Sequence, residues 1–215
     1  MNGKVLTDCI DAAYASIKEH ADEILALDQN IGDGDHVLNL IRGLEALRRI
    51  RGEIEAENLP RALKLAAAKI LTTVGGSSGP LFSSLLMGMS RACAEINGNP
   101  HGFAHIYAAG VRAVQDRGKT GKGSKTMMDV LIPVSERWND LAGSASSTAE
   151  ILAALPEEAA RGMLATRDML ATKGRASFLG ERSLGHIDPG ARSSQLIITA
   201  VCRQIGRSMS EETAR

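Results

Sequence analysis

Apolar residues recur along most of this chain at intervals of three or four positions, a spacing that places them on one face of an α-helix. Near the N-terminus, Val5, Cys9, Ala13 and Ile17 follow this spacing. We find no segment that alternates apolar and polar residues as a half-buried strand does. The pattern predicts an all-α protein of eight helices, near residues 4–27, 36–51, 60 onward, 80–96, 101–117, 125–142, 148–172 and 190–207.

Composition favours one helical domain. The 215 residues are enough for a single well-cored unit, and the chain has neither an evident internal repeat nor a low-complexity linker. Aromatic residues make up only 3% of the chain, whereas alanine, leucine and methionine are abundant, which favours packed helices over sheets. We therefore expect residues 1–215 to form a single domain.

Charge and cysteine content argue against several classes of protein. The chain has 25 basic and 25 acidic residues, so no net charge attracts nucleic acid or an anionic membrane. Cys9, Cys93 and Cys202 are far apart in apolar stretches, which fits reduced thiols better than disulfides or a zinc site. The sequence shows no signal-type apolar core and no apolar run of bilayer length. These features predict a cytoplasmic protein with neither nucleic acid nor membrane as a partner.

Three carboxylates lie close together between the first two predicted helices. Asp28, Asp33 and Asp35 fall within eight residues, and their neighbours are glycines, an asparagine and His36 rather than cations. Carboxylates this close repel one another unless a cation lies between them. Hard oxygen ligands of this kind suit Mg²⁺ or Ca²⁺. A metal site is the main hypothesis, and a solvated acidic turn with helix-capping aspartates is the alternative.

Glycine-rich segments precede four of the predicted helices. They are the aspartate run itself and residues 75–80, 121–126 and 188–190. A helix N-terminus presents unpaired N–H groups and the positive end of the helix dipole, and glycine lets the backbone approach an anion closely. Beside the carboxylates, these segments predict a site for Mg²⁺ and a polyphosphate. Ordinary helix caps in a bundle are the alternative interpretation.

Common nucleotide and hydrolase motifs do not account for this pattern. Residues 113–120 lack the first glycine of a P-loop, and residues 32–37 lack the third glycine of the dinucleotide fingerprint. An EF-hand that began at Asp28 would place Gly32 at a ligand position. Residues 75–79 match the nucleophile elbow of serine hydrolases, but that elbow follows a strand, and here the preceding sequence predicts a helix.

Four segments resemble the nucleotide-binding L subunit of dihydroxyacetone kinase, a domain that also forms the C-terminal half of single-chain, ATP-dependent dihydroxyacetone kinases. They are residues 30–36 (Asn-Ile-Gly-Asp-Gly-Asp-His), 74–82 (Val-Gly-Gly-Ser-Ser-Gly-Pro-Leu-Phe), 125–129 (Lys-Thr-Met-Met-Asp) and the long block 173–191. The resemblance runs in order over nearly the whole chain. It implies an eight-helix antiparallel up-and-down barrel that holds a nucleotide, ADP or ATP, with two Mg²⁺ ions at one end.

The resemblance also implies the residues of the site. Asp28, Asp33 and Asp35 match the family's metal ligands. The positions that match its nucleotide contacts are His36, Leu38, Asn39, Ser77, Ser78, Gly118, Met127, Arg175, Asp188, Pro189 and Gly190. No catalytic residue is assigned in this chain, because in the family the nucleophilic hydroxyl arrives on a partner. Lys173, Arg175 and Arg182 are expected either to contact phosphate or the partner, or to form surface salt bridges.

The partners that the resemblance implies are proteins. A K-type subunit holds the keto-sugar covalently through a histidine, and the L domain delivers the γ-phosphoryl group to it. In bacterial three-subunit systems, ADP stays bound and is rephosphorylated by a protein of the phosphoenolpyruvate phosphotransferase system. We expect this chain to be the phosphoryl-donating subunit of such a kinase. The alternatives are a subunit of an ATP-dependent kinase for another small keto-sugar and a regulatory subunit that binds a transcription regulator.

Two positions depart from the family pattern. Val37 stands where the family commonly has glycine, and a β-branched residue narrows the backbone freedom at this helix start. Ser124 stands where an aspartate is usual. Neither departure removes a proposed metal ligand, but both leave open that the substrate is another small keto-sugar.

Overall fold

The computed structural model describes residues 2–95, 100–144 and 146–213, and within these ranges the chain is helical apart from its connecting loops. The helices are α1 (Gly3–Glu19), α2 (Ala21–Ile31), α3 (His36–Arg49), α4 (Arg51–Glu55), α5 (Leu59–Thr73), α6 (Ser78–Glu95), α7 (Pro100–Gly118), α8 (Met128–Gly143), α9 (Thr148–Ala165) and α10 (Pro189–Thr213). Two 3₁₀ segments, Thr166–Asp168 and Arg175–Ser183, lie between α9 and α10. The all-α prediction is confirmed. Residue 96 of the predicted fourth helix lies outside the described residues.

The long helices form a closed ring. Its order is α1, α3, α5, α6, α7, α8, α9 and α10, and α10 packs against α1. The eight-helix barrel is therefore confirmed, with α2 as a continuation of the first helix and α4 as a short addition. None of the described helices is long and apolar enough to cross a membrane.

Several predicted helix boundaries differ from the observed ones by a few residues, and side-chain contacts explain the two largest internal differences. The predicted helix 4–27 divides at His20, whose φ of −105° and ψ of 17° are not helical and whose ring Nδ1 lies 2.9 Å from the Ser16 carbonyl oxygen. The predicted helix 148–172 ends as an α-helix at Ala165. There the carbonyl oxygen of Thr166 accepts hydrogen bonds from a lysine side chain and, in a 3₁₀ contact, from the backbone N–H of Met169.

Glycines let neighbouring helices approach until their backbones touch. A Cβ at Gly88 of α6 would lie 2.7 Å from the carbonyl oxygen of Ala109 in α7, and one at Gly162 of α9 would lie 2.2 Å from that of Asp129 in α8. Any side chain at these two positions would separate the helices. Phe82 of α6 packs against three of the four apolar clusters of the core. Close crossings and this shared core hold the wall of the barrel in place.

The glycine-rich segments meet at one end of the barrel. Because neighbouring helices run antiparallel, α3, α6, α8 and α10 all begin at this end, and α2, α5, α7 and α9 end there. Asn2 and Asn58, which cap α1 and α5, pair with each other in an isolated β-bridge. Val37 is only 2% exposed and packs in the core with Ile17 and Leu40, so this departure from the family pattern fills the space between α3 and its neighbours.

Candidate functional site

A cavity of about 720 Å³ opens at the end of the barrel where the glycine-rich segments meet. Its volume falls in the range of small-molecule binding pockets. The predicted site residues that line it are Asp28, Asp33, Asp35, His36, Ser77, Ser78, Gly118, Met127, Arg175, Asp188, Pro189 and Gly190. Residues that lie up to 162 positions apart in the chain are thus brought together, Asp28 and Gly190 being the outermost.

Leu38 and Asn39 do not line this cavity. The side chain of Leu38 is 58% exposed at the start of α3. Asn39 is buried, and its side-chain amide lies against Gly75 and Gly76, whereas its Oδ1 accepts a hydrogen bond from Arg42 Nη1 at 3.2 Å. Asn39 therefore packs against the loop that precedes α6 and does not line the cavity.

The three predicted metal ligands, named the loop trio here (Asp28, Asp33 and Asp35), form one cluster. One carboxylate oxygen of each lies within 4.8 Å of those of the other two. Asp28 is buried in the last turn of α2, and its Oδ2 accepts a hydrogen bond from the backbone N–H of His36 at 3.0 Å. A Cβ at Gly32 would lie 2.0 Å from Asp28 Oδ1, so any other residue there would displace this carboxylate.

The charge of the loop trio is only partly compensated. Among the described residues, Arg175 is the one cation that forms an ion pair with it, through Nη2 at 2.9 Å from Asp33 Oδ2. That arginine side chain is 74% exposed, so solvent screens the pair and it contributes little stability. Clustered oxygen ligands with net negative charge fit a divalent cation such as Mg²⁺.

His36 connects the starts of three helices. Its Nε2 lies 2.9 Å from Ser193 Oγ in α10, and its Nδ1 lies 3.3 Å from Ser78 Oγ in α6. Ser193 Oγ donates to the carbonyl oxygen of Gly190 at 3.1 Å, so it accepts the Nε2–H of His36. Burial lowers the pKa of His36 despite the opposing pull of the three aspartates, which fits a neutral ring that accepts a hydrogen bond from Ser78 at Nδ1.

The loop between α5 and α6 turns sharply at its glycines. Gly76 adopts a φ of +64°, and a Cβ at Gly79 would lie 2.2 Å from the carbonyl oxygen of Val74. This tight fold places Ser77 and Ser78 on the cavity wall at the start of α6. Because α5 precedes it, the segment is not the strand-to-helix elbow of a serine hydrolase.

Asp188 caps α10 inside the cavity. Its Oδ2 accepts the backbone N–H of Ala191 at 2.7 Å. Burial raises the pKa of Asp188 to about 7, against the opposing effects of this hydrogen bond and of the Lys125 charge. The carboxylates of Asp129 and Asp28 raise it further. The backbone of α10 comes close to that of α8 here, since a Cβ at Gly190 would lie 3.6 Å from the Met127 nitrogen.

Sequence reasoning gave no role to Lys125 and Asp129. Asp129 is buried, and its carboxylate accepts the backbone N–H groups of Gly123 at 2.5 Å and Thr126 at 2.8 Å, which folds the loop between α7 and α8. Lys125 is wholly buried, although lysine is ordinarily a surface residue. The only sequence signal was the match of residues 125–129 to the family.

The remaining basic residues divide between the cavity and its surroundings. Lys173 and Arg117 line the cavity with Arg175, whereas Arg182 does not. Lys122 pairs with Glu136 on the surface. A further residue that the sequence did not single out is Phe178, which lines the cavity and is 86% exposed.

A helical barrel with a carboxylate cluster and several helix starts in one cavity defines a class of protein suited to a metal–phosphate ligand. The DAK2 domain matches residues 30–203, and the chain therefore belongs to the DAK2-domain family. It is similar to the ADP-binding subunit DhaL of PEP-dependent dihydroxyacetone kinase 1 from Listeria innocua, with 40% identity over 185 residues, covering 86% of this chain and 88% of the relative.

A further relative supports this family, and a solved structure supports the fold. The ADP-binding subunit DhaL of PEP-dependent dihydroxyacetone kinase from Escherichia coli is 36% identical over 189 residues, covering 87% of this chain and 88% of that protein. The fold is similar to the dihydroxyacetone kinase from C. freundii in its complex with AMP-PNP and Mg²⁺, with a TM-score of 0.72 and 20% identity. That match covers 92% of this chain and 33% of the other. The family predicted from the sequence is confirmed.

Proposed function

We propose that this chain is the nucleotide-carrying, phosphoryl-donating subunit of a dihydroxyacetone-type kinase. Its acceptor is a short keto-sugar held by a K-type partner subunit. Its nucleotide is ADP, which a phosphotransferase-system protein recharges while the nucleotide stays bound. The observation that carries this proposal is the single cavity shared by the loop trio and the starts of α6, α8 and α10. The likeness to relatives named as ADP-binding subunits supports it.

The loop trio is the proposed holder of the divalent cations, two Mg²⁺ ions in the family pattern. Its three carboxylates have more negative charge than Arg175 offsets, and Mg²⁺ prefers oxygen ligands. Metal bound there supplies neutralisation of phosphate charge during transfer, an effect of several kcal/mol. The buried Asp28, held by the His36 N–H, is the fixed member of the trio, while Asp33 and Asp35 are exposed to the ligand.

The nucleotide is proposed to lie along the cavity wall. Ser77 and Ser78 present hydroxyl groups beside the first turn of α6, where helix N–H groups favour phosphate. His36 orients the Ser78 hydroxyl. Gly118, Met127, Pro189 and Gly190 add to the wall from three other segments, and a Cβ at Gly190 would lie 3.0 Å from Asp188 Oδ2.

This chain is proposed to supply positioning and charge rather than a general base. Phosphoryl transfer needs little covalent chemistry from the protein, so holding the donor phosphate and its metal in place is the main task. The attacking hydroxyl belongs to the sugar on the partner subunit. For this reason no catalytic residue is assigned here, and the chain is expected to be active only with its partner.

Native mass spectrometry of the chain purified without added nucleotide tests the resident coenzyme. We expect close to one ADP per chain together with Mg²⁺. A chain that emerges empty and then binds ATP reversibly would instead support an ATP-dependent kinase.

Reconstitution tests the phosphoryl transfer itself. The chain is mixed with a K-type subunit, dihydroxyacetone and either ATP or a phosphotransferase-system donor, and sugar phosphate is measured. We expect product only when all components are present. If no donor and no K-type partner gives product, and the chain instead binds a transcription regulator tightly, the phosphoryl-donor proposal is wrong.

A further inference from the structure

Lys125 is the largest fully buried side chain among the described residues, with 0% of its surface exposed. It lies in the loop between α7 and α8 and adopts a φ of +58°, a left-handed conformation that is uncommon for residues other than glycine. Burial of an ammonium group is costly unless polar partners surround it. A lysine in this position therefore requires an explanation from its contacts.

The ammonium group joins three segments that meet at the cavity. Lys125 Nζ donates to the carbonyl oxygen of Thr166 at 2.5 Å, just after α9, and to that of His186, two residues before Asp188. Thr166 Oγ1 accepts the backbone N–H of Asp188 at 3.0 Å and donates to the Met163 carbonyl oxygen at 2.6 Å. Lys125 and Thr166 thus fix the segment that leads into α10.

The charge of Lys125 has no direct ion-pair partner among the described residues. The carboxylates of Asp188, Asp168 and Asp129 act on it through space, but no oxygen of theirs lies within 4.0 Å of its Nζ. Lys125 borders the cavity, but its side chain is wholly covered and its Nζ is engaged by the two backbone carbonyl groups. Its role is therefore exerted through the backbone segments that it holds.

We propose that Lys125 is a positioning residue of the nucleotide site, which fixes the edge formed by residues 186–190 against the start of α8. This inference rests on the proposed function, because the ligand that the edge contacts is taken to be a nucleotide. Two observations support it. The held segment contains Asp188, Pro189 and Gly190, which all line the cavity, and Gly190 lies against the backbone of Met127, two residues after the lysine.

Two variants of Lys125 test the role of its charge. Lys125→Met keeps an unbranched side chain but removes the ammonium that donates to the Thr166 and His186 carbonyl groups, whereas Lys125→Arg keeps a cation. We expect the methionine variant to bind ADP at saturating Mg²⁺ at least about tenfold more weakly in calorimetry, the scale typical of residues that orient direct ligands. The arginine variant should recover part of that loss. Lys122→Met, which removes an exposed lysine of the same loop, is the matched control and should bind normally.

Hydrogen exchange separates positioning from general loss of stability. In Lys125→Met, amides of residues 166–168 and 186–191 should exchange faster, while those of residues 28–36 around the loop trio stay as in the wild type. Unchanged ADP affinity, or equally faster exchange in all these segments, would overturn the proposal. The exchange comparison needs no nucleotide, so a wild-type chain that fails to bind ADP would refute the proposed function and leave this inference separately testable.

If Lys125→Met does not fold, a second pair of variants tests, through Thr166, whether the segment that Lys125 holds positions the nucleotide edge. Thr166→Val leaves the carbonyl oxygen that Lys125 contacts but removes the hydroxyl that accepts the Asp188 N–H. Thr166→Ser retains that hydroxyl. We expect the valine variant to weaken ADP binding about tenfold and to loosen residues 186–191, and the serine variant to behave as the wild type. Equal behaviour of the two variants would contradict the proposed linkage.

Discussion

Two groups of three carboxylates lie on this barrel, and their surroundings differ. The first group, the wall trio, consists of Asp8, Asp11 and Glu55 on α1 and α4. Arg51 contacts all three carboxylates, at 2.9 Å from Asp8 and 2.7 Å from Glu55. Lys4 also pairs with Asp8, and Arg48 pairs with Asp11. The negative charge of the wall trio is therefore matched within the protein.

The loop trio lacks this compensation. Its three carboxylates have a single described ion-pair partner, Arg175, which is mostly exposed. Both groups would look alike in a count of acidic residues, but among the described residues only the wall trio has every carboxylate ion-paired. An acidic cluster by itself says little, whereas carboxylates without matching ion pairs in the described protein point to a cation supplied from solution.

The largest expected effect is on Mg²⁺–ADP affinity, when one aspartate of each trio is replaced by asparagine. Asp33 and Asp11 have similar side-chain exposure, 40% and 36%, and each pairs with an arginine. We expect Asp33→Asn to weaken Mg²⁺–ADP binding by about 100-fold or more, because it removes a charged metal ligand worth several kcal/mol. Calorimetry measures the affinity. Asp11→Asn is the control, and its affinity for Mg²⁺–ADP should lie within twofold of that of the wild type. Equal losses of affinity in the two variants would show that the loop trio is no more a cation site than the wall trio is.

Thermal unfolding with and without ligand gives the next largest effect. At a Mg²⁺–ADP concentration of about 100 times Kd, binding should stabilise the wild type by about 2.7 kcal/mol, which raises Tm by roughly 5–10 °C for a chain of this size. The Asp33→Asn variant should lose most of this increase at the same ligand concentration. Chelation of the metal should reverse the increase in the wild type. An increase that survives chelation would mean that the loop trio is not the cation site.

A smaller effect, on the free energy of unfolding, is expected when the arginine that pairs with each trio is replaced. Arg51→Gln leaves three carboxylates without their shared partner, and we expect it to lower the free energy of unfolding by about 1 kcal/mol, since each exposed pair contributes a few tenths. Arg175→Gln breaks one exposed pair and should lower it by no more than about 0.5 kcal/mol. Urea denaturation measures both. A larger loss for Arg175→Gln would show that the loop trio is also a structural cluster.

The smallest effect concerns pH. Burial raises the pKa of Asp8, but hydrogen bonds and charge from Lys4 and Arg51 outweigh it, so its net pKa lies below the usual 3.8. A carboxyl with a lowered folded pKa stabilises the fold above its unfolded pKa, and this stability disappears as pH falls through the folded value. We expect Arg51→Gln to raise the pKa of Asp8 in a carboxyl NMR titration. Near pH 3.5, this substitution should change the pH-dependent part of the free energy of unfolding by a few tenths of a kcal/mol, about the value of an exposed ion pair.

The sequence predicted the elements that depend on local spacing. Helical periodicity located the long helices, and glycine-rich segments before them located the loops that line the cavity. The break at His20 was missed because apolar spacing continues through it, and only the contact of the ring with Ser16 distinguishes that position. These are properties of one helix and its immediate neighbours, which the order of residues largely determines.

Parts of the site that depend on distant contacts were not predictable. A lysine at position 125 suggests a surface residue, and only the fold brings the carbonyl groups of Thr166 and His186 to its ammonium group. Likewise, only the fold shows that the Asn39 side chain lies against the Gly75–Gly76 turn and not in the cavity lining, and its nucleotide contact stays a prediction. Whether the remaining site residues contact nucleotide stays a prediction that the binding experiments test.

The hydrogen bond between His36 and Ser193 links residues 157 positions apart and has a consequence for synthesis of the chain. A nascent chain leaves the ribosome N-terminal end first. The loop trio is therefore made early, whereas the α10 start that completes the cavity emerges last. Until then the carboxylates stand without the wall that would hold a phosphate beside them. Under the proposed function, nucleotide should therefore be retained only once α10 has closed the ring, so its retention would distinguish molecules with a closed ring from those still being made.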